Sequence, residues 1–105
     1  PKAMKPAWNN DGLSQGTSSA TFLSGPQWKS WDGRMVVGLM GIGVHGTPVG
    51  NRLDILDIAA DGSSATRTMA NLPMPAGRFR SVVQAPDGNL YVATDEGSII
   101  MLKPN

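Results

Sequence analysis

Apolar residues in this chain come in short bursts, and the positions between them are filled by glycine, proline, serine and aspartate. Bursts of four to eight residues bounded by such breakers read as β-strands rather than helices. Residues 1–17 are polar and turn-rich apart from Trp8, and they read as an extended lead-in segment. Strand texture begins with Ala20-Thr21-Phe22-Leu23 and is stopped by Ser24-Gly25-Pro26. Trp28 and Trp31 then flank a polar turn that closes at Asp32-Gly33. The mainly apolar run at residues 34–40 predicts a strand covered on both faces, and a glycine-rich loop follows at residues 41–51. Residues 52–58 predict another strand, with Leu53, Ile55 and Asp57 on one side and Asp54, Leu56 and Ile58 on the other. Asp61-Gly62 ends it, and residues 65–70 offer a weaker fourth strand.

A second unit starts at Gly77. Residues 79–85 are strand-like, Pro86-Asp87-Gly88-Asn89 is a turn, and Leu90-Tyr91-Val92-Ala93-Thr94 leads through Asp95-Glu96-Gly97 into a last strand over residues 98–103. Both units follow one grammar: strand, Asp-Gly turn, strand, Gly-bearing turn, strand. Phe22-Leu23 precedes Asp32-Gly33 and Met35-Val36-Val37, as Val82-Val83 precedes Asp87-Gly88 and Leu90-Tyr91-Val92. Self-similarity at roughly 40 to 60 residues points to propeller blades, whose sheet faces must stack on neighbours to bury their apolar side. The expected fold is therefore all-β, a β-propeller fragment of about two antiparallel blades. Residues 1–17 form the lead-in, 18–76 one blade, and 77–105 a final blade lacking its outer strand. An incomplete blade needs that strand from elsewhere, because an open hydrophobic edge invites association.

Composition narrows the function classes. Gly 13 and Pro 8 favour strands and turns over long helices, and 40% hydrophobic residues suit a globular chain. Nine Lys+Arg against eight Asp+Glu give a net charge of +1 with the basic residues scattered, so no nucleic-acid footprint is visible. Without cysteine there is no thiolate nucleophile, disulfide framework or Cys-ligated zinc. No apolar span approaches the ~20 residues of a membrane helix, and no signal peptide is visible ahead of Pro1. The chain reads as a fragment or trimmed product of a longer one.

The segment from Gly77-Arg78-Phe79-Arg80 through Pro86-Asp87-Gly88-Asn89-Leu90-Tyr91-Val92 to Asp95 closely resembles the last blade of the glucose/sorbosone dehydrogenases, the soluble sugar dehydrogenases that use pyrroloquinoline quinone (PQQ). Residues 18–23, Trp28 and Gly33-Arg34-Met35-Val36-Val37-Gly38-Leu39 resemble the preceding blade, so the likeness runs from about Ser18 to Pro104. Arg78 and Arg80 are two apart, which in an extended segment sends both guanidinium groups from one face. Two such forks match a planar polyanion that carries carboxylates. The resemblance implies that Arg78 and Arg80 line the central channel and hold the carboxylates of PQQ; the alternative reading pairs them with an Asp or with backbone carbonyls.

The resemblance also implies a sugar substrate and a periplasmic or secreted location. Two departures stand out. Where the glucose-oxidising members carry a lysine after the strand matching residues 36–39, this chain has Met40 and Gly41. The family's catalytic histidine lies in an early blade, and the single histidine here, His45, sits in the glycine-rich loop and is read as solvated. No catalytic residue is therefore assigned. Asp54, Asp57 and Asp61 lack the ligand spacing of a calcium loop, so no metal site is assigned either. Trp8, Trp28 and Trp31 are read as packing rather than sugar-stacking residues. Two functional readings remain open. One is the cofactor-gripping end of a quinone-dependent aldose dehydrogenase, inactive alone. The other is a non-catalytic two-blade module that associates with the remaining blades of a parent chain or with copies of itself, for example as a trimer that restores a six-bladed ring.

Overall fold

The computed structural model describes residues 4–9, 15–41, 52–69 and 77–104, and these form two antiparallel sheets packed face to face. The first has the order β1 (Thr17–Phe22), β2 (Met35–Leu39), β3 (Leu53–Ile58) and β4 (Ala65–Met69). The second is a three-stranded meander of β5 (Phe79–Gln84), β6 (Leu90–Thr94) and β7 (Ile99–Leu102). Strands consecutive in sequence are neighbours in each sheet, the arrangement of propeller blades; the described residues do not close a ring. Among the described residues the lone helical element is a 3-10 segment, Pro26–Trp31, where the sequence pattern predicted a turn. The strand expected from Ala20 begins earlier, at Thr17, inside the segment read as lead-in.

The two sheets are built on one hydrogen-bonding template. In the first, Thr17 opposes Leu39 and Ser19 opposes Gly38, so Ser18 is an extra residue in β1. In the second, Phe79 opposes Thr94 and Ser81 opposes Ala93, so Arg80 is the extra residue in β5. Beyond each bulge the pairing runs on in step, Ala20 with Val37 as Val82 with Val92, and Phe22 with Met35 as Gln84 with Leu90. The flanking backbone bonds also correspond. Met40 N–H donates to Gly16 O (2.9 Å), and Asp95 N–H donates to Arg78 O (3.1 Å). The turns between the first two strands of each sheet place Gly33 (φ 85) and Gly88 (φ 87) in left-handed backbone, which is why Asp-Gly occurs at both.

One core is shared. Strand alternation puts Val36, Leu53 and Ile55 of the first sheet against Phe79, Val82, Leu90 and Val92 of the second, all buried. Without the bulge Phe79 and Val82, three apart, would point to opposite faces. Trp28 enters this core from the 3-10 segment, and its indole Nε1–H donates to Gly88 O (3.0 Å); Trp31 packs alongside. Trp28 thus serves inter-sheet packing, as the sequence suggested. The inner strands β1 and β5 are laced together by side chains. Ser18 Oγ donates to Phe79 O (2.5 Å), and Ser19 Oγ accepts from Val82 N–H (2.9 Å). Ser24 N–H donates to Gln84 Oε1 (2.8 Å) while Gln84 Nε2 donates back to Ser24 O (2.9 Å), an amide standing in for a peptide group.

The segment at residues 4–9 lies beside β4. Ala65 N–H donates to Ala7 O (3.2 Å), and the Arg67 guanidinium sits 5.7 Å from the centre of the Trp8 ring.

Candidate functional site

The arginines singled out by sequence meet at one carboxylate. Arg78 immediately precedes β5 and Arg80 is its bulged residue, while Asp95 follows β6 directly across from them. Arg78 Nε donates to Asp95 Oδ2 (2.6 Å) and Arg80 Nε donates to Asp95 Oδ1 (2.5 Å), so one acid uses both oxygens to fix two guanidinium groups. The bonds from Arg80 and then Arg78 hold the Asp95 carboxyl well below its ordinary 3.8, at about 2. The Arg80 guanidinium is in turn pushed further up by Asp95. The pair is therefore fully charged across physiological pH, and the cluster of two cations and one anion carries a net +1.

Only the Nε edge of each fork is occupied by Asp95. Arg78 reaches across to the first sheet, its Nη2 lying 3.8 Å from the Met40 sulfur, a weak acceptor. Its Nη1 is buried and has no hydrogen-bond partner among the described residues. Such an orphaned donor is costly when it faces other protein atoms only, and an anion at that edge would relieve it. Arg80 is more open, its side chain 59% exposed, and its terminal nitrogens have no partner among the described residues. The cluster thus offers planar N–H donors from two forks whose orientation is already set by a third group, which is what paired recognition of carboxylates requires.

The internal template shows how local this charge is. The first-sheet positions equivalent to Arg78, Arg80 and Asp95 are Gly16, Ser18 and Met40, none of them charged. Met40 is thus at once the counterpart of Asp95 and the neighbour of Arg78. The sequence reading identified the two arginines but treated Asp95 as a turn residue. The signal for its role was the turn grammar itself, which brings the residue after the second strand opposite the residues before the first. His45 lies outside the described residues.

A second charged group sits at the opposite face of the first sheet. Asp54, 2% exposed, accepts from Arg52 Nε (2.7 Å) and faces Arg67 Nη1 at 3.7 Å. It belongs to a cleft of about 370 Å³ lined by Trp8, Ala20, Met35, Val37, Leu39 and Leu56 among others. Each of its oxygens already faces a cation, so this group satisfies itself.

A family model described as glucose/sorbosone dehydrogenase matches residues 2–103 of the chain. No curated protein and no solved structure matches it.

Proposed function

This chain belongs to the glucose/sorbosone dehydrogenase family, and from that premise we propose that it supplies the cofactor-gripping side of a PQQ-dependent aldose dehydrogenase, with Arg78 and Arg80 as the carboxylate-binding residues. Both arginines pair with an Asp, Asp95, as the alternative reading expected, and the observation that carries the cofactor reading is the set of guanidinium nitrogens this pairing leaves over. Two guanidinium forks are tied down at Nε by one acid; the buried Nη1 of Arg78 and the terminal nitrogens of Arg80 remain without protein partners among the described residues, and Arg78 Nη2 meets only the Met40 sulfur.

Asp95 contributes orientation. A free arginine side chain loses about 2 kcal/mol of rotamer freedom when fixed, and here the acid fixes both before any ligand arrives. The bulge at Arg80 gives that side chain a direction regular pairing would not give it. Met40 gives Arg78 a neighbour on the first sheet without adding charge. When bound, the quinone supplies the two-electron acceptor for a hydride leaving the sugar's anomeric carbon. The general base for the sugar hydroxyl is not assigned to any residue of this chain, since its one histidine, His45, is not carried over to that role. A periplasmic or secreted location is part of the same proposal.

The test is titration of the chain with PQQ, followed by the quinone's absorbance and by tryptophan fluorescence, alongside R78A and R80A variants. Each arginine removes charge-assisted hydrogen bonds of about 1.5–3 kcal/mol, so each variant is expected to bind roughly ten- to a hundredfold more weakly. No sugar-dependent dye reduction is expected from the 105 residues alone. Absence of any spectral change with PQQ, or equal affinity in the double variant, would sink the reading.

A further inference from the structure

Arg78 touches one side chain that is not an ion. Its Nη2 lies 3.8 Å from the Met40 sulfur, and its buried Nη1 has no partner among the described residues. A thioether is a weak acceptor, so the terminal end of this guanidinium is poorly satisfied where it meets the first sheet. The residue that leaves it so occupies a particular place. Met40 N–H donates to Gly16 O as Asp95 N–H donates to Arg78 O, so Met40 stands in the first sheet where the acid stands in the second. One repeat therefore sets oxygen acceptors against Arg78 from this position, and the other sets a sulfur against it.

A thioether can gain an oxygen without leaving its place. Its lone pair attacks one oxygen of a hydroperoxide, and the S–O bond forms as the O–O bond breaks. With hydrogen peroxide the departing hydroxide takes the proton of the transferred oxygen and leaves as water. Sulfur is oxidised by two electrons, the peroxide is reduced, and the product is a polar sulfoxide whose oxygen is a far better acceptor than the sulfur was. Met40 is partly exposed, so a small peroxide can reach it. The other described methionine side chains have no such neighbour: Met4 is 93% exposed, Met35 lines the first-sheet cleft, and the Met101 sulfur faces the neutral amide of Asn89 at 3.8 Å. Among the described residues, Met40 alone has its sulfur within hydrogen-bond reach of a cation. In packed surroundings a sulfoxide ordinarily costs stability because its oxygen goes unpaired, whereas beside Arg78 it meets a charged donor.

We propose that Met40 is a redox modification site: hydrogen peroxide converts it to the sulfoxide, and the new oxygen accepts from Arg78 Nη2, so that Asp95 and Met40 clasp the fork from both sheets. The clasp takes the donor end that a carboxylate would use, and oxidation thereby weakens anion binding; methionine sulfoxide reductase restores it. That consequence for binding rests on the cofactor reading above, and the clasp itself does not.

The experiment treats the native chain, M40L, R78M and the M40L/R78M double variant with hydrogen peroxide, follows each methionine by peptide mass spectrometry, and compares thermal melts before and after. Leucine keeps the volume of methionine, so the change that the M40L chains show belongs to the remaining methionines and is subtracted. The Met40 sulfoxide is then expected to favour the fold by about 4–8 °C in Tm more in the chain with Arg78 than in R78M. PQQ is expected to bind the oxidised native chain about tenfold more weakly than the reduced one, with no such change in M40L. The same Tm effect in both backgrounds overturns the proposal, as does a Met40 that stays reduced when Met4 and Met101 are fully converted. Should R78M fail to fold, proton exchange at Arg78 Nη, followed by NMR, reads the same bond: slowed exchange in the oxidised native chain is expected, and unchanged exchange overturns the clasp. Equal PQQ affinity for reduced and oxidised native chains overturns the effect on binding. If PQQ binds neither form, the cofactor reading falls, while the melts still decide the clasp.

Discussion

At Gly38 the first sheet packs tightly against Val82 of the second, and replacement of Gly38 by alanine tests whether the spacing of the sheets is set there. The added Cβ would stand 3.0 Å from Val82 Cγ2, 3.1 Å from Ser18 Oγ and 3.3 Å from Phe79 O. Carbon atoms prefer about 3.5–4.0 Å, so Val82 must retreat by about 0.5 Å into a filled core. Alanine in a strand gains about 0.4–1 kcal/mol over glycine through the unfolded chain. Overpacking a well-filled contact costs about 1–3 kcal/mol, so a net loss near 1 kcal/mol is expected. For a chain of this size that lowers Tm by about 4–8 °C. V82A alone removes two buried methyl groups and should cost about 2 kcal/mol. In the double variant the methyl that clashed is absent, so the combined loss should fall short of the sum by about 1 kcal/mol. Urea denaturation of the four proteins measures this cycle. Neutral behaviour of G38A, or additivity within about 0.5 kcal/mol, would show that Gly38 does not set the spacing.

Two further outcomes follow from the charged groups. Asp95 titrates near 2 when folded against an ordinary 3.8, so its stabilising bonds are fully present above the unfolded value and are lost as pH falls through about 2. The Tm gap between the native chain and D95N should therefore be constant near neutrality, shrink below about pH 4 and vanish towards pH 2; a gap unchanged down to that pH would remove the acid from its role. Asp54 is buried between Arg52 and Arg67, and D54A leaves two cations facing an apolar cleft. Breaking a buried pair costs about 3–5 kcal/mol, and because both arginines are partly exposed the low end is expected in thermal melts.

The strands were legible because breakers bracket them. Glycines at positive φ close the turns before β2 and β6, and the run at residues 34–40, read as covered on both faces, contains Val36, Val37 and Leu39, all buried. The separation of Leu53 and Ile55 from Asp54 and Leu56 also follows from simple alternation, one pair entering the core and the other lining the cleft. The two bulges were not legible. Period-two counting assumes one residue against one, and an extra residue at Ser18 or Arg80 shows only in the partner strand's register. The 3-10 segment was read as a turn because six residues with a proline carry little helical signal. At the site, a spacing of two exposed the arginines, whereas Asp95 is fifteen residues further along and becomes their partner only through the hairpin between β5 and β6.

The serine hydroxyls that lace β1 to β5 join residues 61 and 63 positions apart. Each meander can zip locally, but the apolar face of each sheet is covered only when the other sheet packs on it. Closure of that long loop must therefore come before either half is rewarded, which makes the search for the lacing contact the slow step of folding. Once it is found, both halves gain their interior together, and they should melt as a single cooperative unit despite being two repeats.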